Sequence, residues 1–479
     1  MADASFYWHD YETWGANPRV DRVAQFAGIR TDENLEIVGE PLMLYAKPTS
    51  DFLPHPEAVL ITGITPQLAS SEGIPEADFF RLIHTELSQS NSCIVGYNNL
   101  RFDDEVTRFG FYRNFRDPYA YSWQNGNSRW DVLDLLRLTR ALRPEGIQWP
   151  INDKGVASFK LTDLTQANDI EQQGAHDALV DVKATIALAK LVKRKQPKLF
   201  DFYFNLRNKN KAAELLNLSK PDILLHVSGM FPADQGCLAP ILPLLANPTN
   251  SNEIICYNLR FNPEILLNLS AEDIQKKLYT RTVDLAEGEQ RLPLKGVHIN
   301  KSPALAPVST LNEKQADQWQ FNWDEIRVNR DLLLSDPNII KRLTHVYSEV
   351  KNHPSGDADG ALYEGFISQQ DRLVCNQVLA ATPIELSSWS EDCFQDKRLQ
   401  TLFFRYRARN YPQSLTPDES LRWQRFCQSR MLDEDNANAN GLTVEKFQHQ
   451  LLTLAQREQG DREQALLNKL SLWAQQIFS

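Results

Sequence analysis

Close to the start of the chain, four aromatic side chains in a row, Phe6-Tyr7-Trp8-His9, run directly into Asp10-Tyr11-Glu12. Such a run suits a buried strand. Alternate residues of a strand share a face, so Asp10 and Glu12 project together while Tyr11 points away. Two neighbouring carboxylates at the end of a buried strand are costly unless a cation compensates their charge. Oxygen-rich clusters of this kind suit Mg²⁺. A solvated strand end accommodates the same triplet, and the triplet alone does not identify a site.

Two further segments carry acids where such a strand end could use them. Cys93-Ile94-Val95-Gly96-Tyr97-Asn98 reads as a short buried strand that passes through a polar turn into a helix over 103–115. Asp103 stands at that junction, either as the helix N-cap or facing Asp10 and Glu12. Asp104 and Glu105 then complement the helix dipole. Downstream, a helix over 177–194 places Ala178, Val182, Ile186 and Ala189 on one stripe and includes Asp181. His176 precedes Asp181 by five residues, about 140° away if both are helical. With Asp177 as cap, His176 instead lies on the preceding loop, to which Gly174 gives freedom.

The 479 residues are 42% hydrophobic, enough for two or three domains. No run approaches the ~18 apolar residues of a membrane span, and the N-terminus lacks a signal-peptide pattern, so the expected compartment is the cytoplasm. Six cysteines lie far apart without a C-x-x-C pair, which indicates neither a zinc site nor a disulfide framework. The net charge of −11 argues against indiscriminate nucleic-acid binding but leaves room for a local basic channel. Residues 6–48 read as strands, followed by helices at 75–89, 103–115 and 131–142. Pro197 closes this α/β region. From 223 to 308 the pattern is again β-like and suggests a barrel. The polar stretch His353–Gly360 reads as a linker into a mostly helical remainder.

The ordered set, D-x-E on an early strand, Asp at a strand–helix junction and H-x4-D on a later helix, resembles the DEDDh exonucleases of the ribonuclease H-like fold. The runs Asn127-Ser128-Arg129-Trp130-Asp131, Leu142-Arg143-Pro144-Glu145-Gly146-Ile147, His226-Val227-Ser228-Gly229-Met230 and Arg405-Tyr406-Arg407-Ala408-Arg409-Asn410 are similar to those of the bacterial exodeoxyribonuclease I family, along essentially the whole chain. The resemblance implies a mixed-sheet exonuclease domain at 1–196, an SH3-like β-barrel domain at 197–352 and a helical C-terminal domain at 353–479. It also implies 3′→5′ hydrolysis of single-stranded DNA to 5′-mononucleotides, with a role in DNA repair and recombination.

The same resemblance implies two Mg²⁺ ions, with Mn²⁺ as a substitute, on Asp10, Glu12, Asp103 and Asp181, and His176 as general base. Asp177 occupies the position where the sister DEDDy class has Tyr. Glu12, Arg108, Tyr119, Trp123, Arg137, Lys160 and Lys209 would contact DNA. Trp123 and Tyr119 fit a core equally well. Arg143 would meet the acidic tail of single-stranded DNA-binding protein, or is simply a helix-end cation. The basic run Arg405–Arg409 would line a channel or dock an acidic partner. A monomer is expected. A catalytically inactive single-strand-binding scaffold and an RNA-directed DEDDh exonuclease are the competing readings.

Overall fold

The computed structural model describes residues 4–172, 177–280, 284–285, 291–349, 356–433, 441–457 and 460–478. The chain divides into two compact units. One comprises residues 1–128, 172–186 and 352–479, the other 129–171 and 187–351.

The first unit is built on a mixed sheet of order β3-β2-β1-β4-β5, with β1 Ser5–Thr13, β2 Val23–Thr31, β3 Leu42–Tyr45, β4 Ser92–Gly96 and β5 Ser128–Asp131. The chain crosses between units within β5. Phe6, Tyr7 and Trp8 bury β1 at the centre of the sheet. β1 pairs antiparallel with β2, setting Asp10 opposite Ala27 and Glu12 opposite Gln25. It pairs parallel with β4 only from Ser5 to Trp8. The acids therefore stand beyond the parallel ladder, at the edge where β4 has turned away. Four helices matter below: α1 Pro56–Thr62, α2 Asp103–Arg113, α3 Val132–Leu142 and α4 Ala178–Lys195.

Residues 356–479 add the helices α5 Lys397–Asn410, α6 Pro417–Leu432, α7 Val444–Ala455 and α8 Asp461–Phe478 to this unit. They share two apolar cores with its N-terminal part. Trp14, Phe52, Val59 and Ile64 pack with Phe447, Leu470 and Trp473. Phe109, Tyr112 and Phe115 pack with Phe394, Leu402 and Phe403.

The run Arg405–Arg409 is neither a channel lining nor an open docking surface. Its arginines are turned inward onto acids: Arg405 Nη1 donates to Asp359 Oδ2 at 2.9 Å, and Arg409 Nη2 reaches Asp359 at 2.6 Å and Asp51 at 2.7 Å. Arg22 and Arg430 join the same pair of aspartates. Burial alone would raise the Asp51 carboxyl, but the guanidiniums of Arg409, Arg22 and Arg430 outweigh it and hold it well below the usual carboxylate range. Apolar neighbours on α5, among them Leu402, Phe403 and Phe404, are buried with them, and the side chains of Arg405, Arg407 and Arg409 are almost wholly removed from solvent.

The second unit carries an antiparallel sheet of order β10-β6-β7-β8-β9: β6 Leu224–Val227, β7 Leu238–Asn247, β8 Asn250–Asn258, β9 Leu294–His298 and β10 Ala304–Pro307. The expected β-barrel is not formed. Among the described residues β9 and β10 are the two free edges of an open sheet. Closure requires the first and last strands to pair with a fixed stagger. β10 is four residues long and ends at Pro307, which has no N–H to offer a ladder. Among the described residues no helix is long and apolar enough to cross a membrane.

Candidate active site

Asp10 and Glu12 leave the same face of β1, as the period of two requires. Asp181 comes to them from the first turn of α4. One carboxylate oxygen from each of the three lies within 4.8 Å of the others. Three local bonds place Asp181. The Asp177 carboxylate caps the helix by accepting from Leu179 N at 3.0 Å. Ala178 N donates to Gln25 Oε1 at 3.1 Å, on the strand residue that faces Glu12. Gln172 Nε2 donates to Asp181 Oδ1 at 2.7 Å.

Asp103 is not the N-cap of α2. Phe102 occupies the cap position and makes no side-chain cap bond. The Asp103 carboxylate instead reaches β1, where Oδ1 accepts from Tyr11 N at 3.2 Å, between the two β1 acids. A left-handed Asn98 (φ 65°) turns the chain after β4 and delivers it there. Asp104 is buried too and accepts from the Tyr121 hydroxyl at 3.3 Å, so its role exceeds dipole compensation.

The site stores repulsion. Burial, then the charges of Asp103, Glu12 and Asp181, hold the Asp10 carboxyl well above its ordinary range. Burial, then Asp181, Asp103 and Asp177, push Glu12 up to about 8. A divalent cation relieves this repulsion, and an all-carboxylate donor set fits a hard ion such as Mg²⁺ or Mn²⁺. His9 lies on the opposite face of β1, buried edge-on to Tyr11 at 5.8 Å, and burial pushes it down to about 4. It is a neutral packing residue. His176 lies outside the described residues.

The remaining site residues fall in both units. In the first, Arg108 Nη1 donates to Glu105 Oε1 at 2.7 Å, and its guanidinium lies 5.5 Å over the Tyr119 ring. Trp123 is 64% exposed, so it is no core residue. In the second, Arg137 Nη1 donates to Asp134 Oδ1 at 2.8 Å. Lys160 is exposed at the N-cap of the helix Leu161–Ala167. Lys209 is exposed and within 3.5 Å of Asn252 Oδ1. Arg143 ends α3 and donates to Leu142 O and Thr310 O, the geometry of a helix-end cation.

Sequence reasoning missed Gln172 and Gln25, which orient the Asp181 helix; nothing in the spacing of a glutamine marks such a role. It also missed a cavity of about 740 Å³ beside Glu12, lined among others by Thr13, Asn17, Ile61, Phe102 and residues of α7.

Comparison with known proteins covers both units. Residues 7–189 match the family described as Exonuclease, 207–349 the Exonuclease I SH3-like domain and 356–477 the Exonuclease I C-terminal domain. Exodeoxyribonuclease I of Escherichia coli K12 is 44% identical over 476 residues, 99% of this chain and 98% of its own. The Haemophilus influenzae exodeoxyribonuclease I is 45% identical over 433 residues, 90% of this chain and 91% of its own. Among solved structures, E. coli Exonuclease I in complex with a dA16 oligonucleotide superposes with a TM-score of 0.94 at 44% identity, covering 99% of this chain and 100% of that one. The moderately thermophilic Exonuclease I of Methylocaldum szegediense gives 0.93 at 44% identity, with the same coverage.

Proposed function

The chain belongs to the bacterial exodeoxyribonuclease I family, and from that premise we propose how its residues divide the work. The activity is 3′→5′ exonucleolytic hydrolysis of single-stranded DNA at a metal-binding site, in keeping with a role in DNA repair. Asp10, Glu12, Asp103 and Asp181 would hold two Mg²⁺ ions, with Mn²⁺ as a substitute. Such a pair supplies a nucleophilic hydroxide and charge neutralisation at both ends of an in-line displacement. Glu12, which lines the cavity, also meets the terminal 3′-hydroxyl. The cavity itself receives the 3′-terminal nucleotide. His176, on the loop before the Asp177 cap, takes the proton of the attacking water. The product is a 5′-mononucleotide.

Arg108, Tyr119 and Trp123 form one contact surface for the strand, and Arg137, Lys160 and Lys209 another. Cations neutralise phosphates while aromatic faces accept bases. The exposed Trp123 and the Arg108–Tyr119 stack support the first. Arg143 is the proposed contact for the acidic tail of single-stranded DNA-binding protein. The enzyme works as a cytoplasmic monomer with domains at 1–196, 197–352 and 353–479; matches at 7–189, 207–349 and 356–477 support this division.

The observation that carries the reading is the convergence of Asp10, Glu12 and Asp181 within 4.8 Å, with Asp103 bonded to the backbone between the first two. The test is digestion of 3′-labelled single-stranded DNA and RNA. Mg²⁺-dependent release of mononucleotides from DNA, abolished by EDTA while binding persists, is expected. No activity with any divalent metal would favour a binding scaffold, and faster loss of RNA an RNA-directed enzyme. His176→Ala is expected to slow turnover by roughly 10²–10⁴-fold with DNA binding retained; near-normal turnover would remove His176 from the role of base.

A further inference from the structure

The cavity beside Glu12 has a second wall, made by a part of the chain remote from the acids. Gly441, Leu442, Lys446 and Gln450 line it, facing Thr13, Asn17, His55 and Ile61. At about 740 Å³ it lies within the range of roughly 300–1,000 Å³ typical of small-molecule sites.

This wall is seated by both apolar and polar contacts. Leu442, which lines the cavity, and Phe447 share a core with Trp14, Val59 and Ile64. At its rim, His55 joins two segments: its Nε2 lies 3.5 Å from Asp21 Oδ1, and it hydrogen-bonds the Gln450 side chain. Asp21 in turn accepts from Asn17 N at 2.8 Å. Gly15 fits the arrangement closely, since a Cβ there would stand 2.2 Å from Asp21 Oδ2 and 2.6 Å from the His55 ring. The strand that carries the catalytic acids, the loop after it, α1 and α7 thus meet around one space. That space offers apolar surface (Ile61, Leu442, Phe102) beside donors and acceptors (Asn17, Lys446, Gln450). This is the mixture a nucleobase and its sugar require: a face to lie on and edges to bond.

We propose that Lys446 and Gln450 of α7, the latter held by His55, are contact residues for the 3′-terminal nucleotide and for the 5′-mononucleotide it becomes. The C-terminal segment is then part of the catalytic pocket. Its tight seating on residues 13–69 keeps that pocket in shape. The inference rests on the reading that the cavity beside Glu12 receives the terminal nucleotide.

Inhibition of single-stranded DNA digestion by thymidine 5′-monophosphate isolates this subsite from the long strand contacts. Lys446→Ala and Gln450→Ala are each expected to raise the inhibition constant by roughly fivefold or more, the size of one lost hydrogen bond. Lys446→Arg is expected to restore it to within about twofold. Lys446 is exposed, so its replacement leaves the fold intact; equal thermal midpoints check this. Ile61→Trp, which fills the cavity from α1, is the control. If it raises the constant while both α7 variants leave it unchanged, the cavity holds the nucleotide and the inference about α7 is wrong. If none of the three changes it, or the mononucleotide does not inhibit at all, the terminal-nucleotide reading falls, and the inference with it.

Discussion

Glu12 and Asp10 both have carboxyls that prefer their protons more in the folded chain than in the unfolded one. The folded protein therefore binds the extra protons, and stability in EDTA must fall as pH rises from the ordinary carboxylate range through about 8. A saturating divalent cation compensates the charge and should flatten that slope. Thermal melts between pH 5 and 9, with EDTA and with Mg²⁺, measure both curves. Equal slopes would mean that the acids do not share a cation. That Asp10 and Glu12 share one face of a strand was legible from the sequence because a period of two is local. Asp103 was ambiguous because a helix N-cap and a ligand look alike in sequence. In the structure Phe102 takes the cap position, which excludes the cap reading, and the Asp103 carboxylate bonds Tyr11 N.

At the scale of elements, the sequence marks strands and helices well but says little of what closes or covers them. The pattern over 223–308 announces strands, and β6 to β10 are there. Whether the edges meet depends on strand length and on Pro307, which periodicity does not weigh. Arg405–Arg409 looked like a surface patch because its partners, Asp51 and Asp359, are distant in sequence and gathered only by folding. Removing one partner of a buried ion pair costs about 3–5 kcal/mol. Asp359→Ala should thus lower the urea midpoint of unfolding sharply, whereas exposed pairs such as Arg327–Asp324 should be nearly silent. The lowered carboxyls of Asp51 and Asp359 also fix the acid response. Their contribution is present above the ordinary carboxylate range and is lost only as pH falls through their depressed values. A D359A penalty as large at pH 4 as at pH 7 is expected; a penalty gone by pH 4 would contradict the burial of the cluster.

In the molecule as a whole, the order of the chain and the order of the compact units differ. Residues 352–479 cluster with 1–128, while 129–171 and 187–351 form the other unit. Without residues 356–479, Trp14, Phe52, Val59, Phe109 and Phe115 lose the helices that cover them. A chain ending near 350 is expected to bind hydrophobic dyes and aggregate, even though it keeps every proposed metal ligand; a soluble, fully active truncation would show that the C-terminal segment is dispensable. The most direct test of the central claim, that four acids from distant segments make one metal site for 3′-end hydrolysis, is the turnover of Asp181→Asn on 3′-labelled single-stranded DNA in Mg²⁺, with DNA affinity measured in parallel. Turnover should drop by roughly 10³-fold or more, as the loss of several kcal/mol of charge stabilisation requires, with DNA affinity held within about threefold. Turnover near that of the unaltered chain would contradict it.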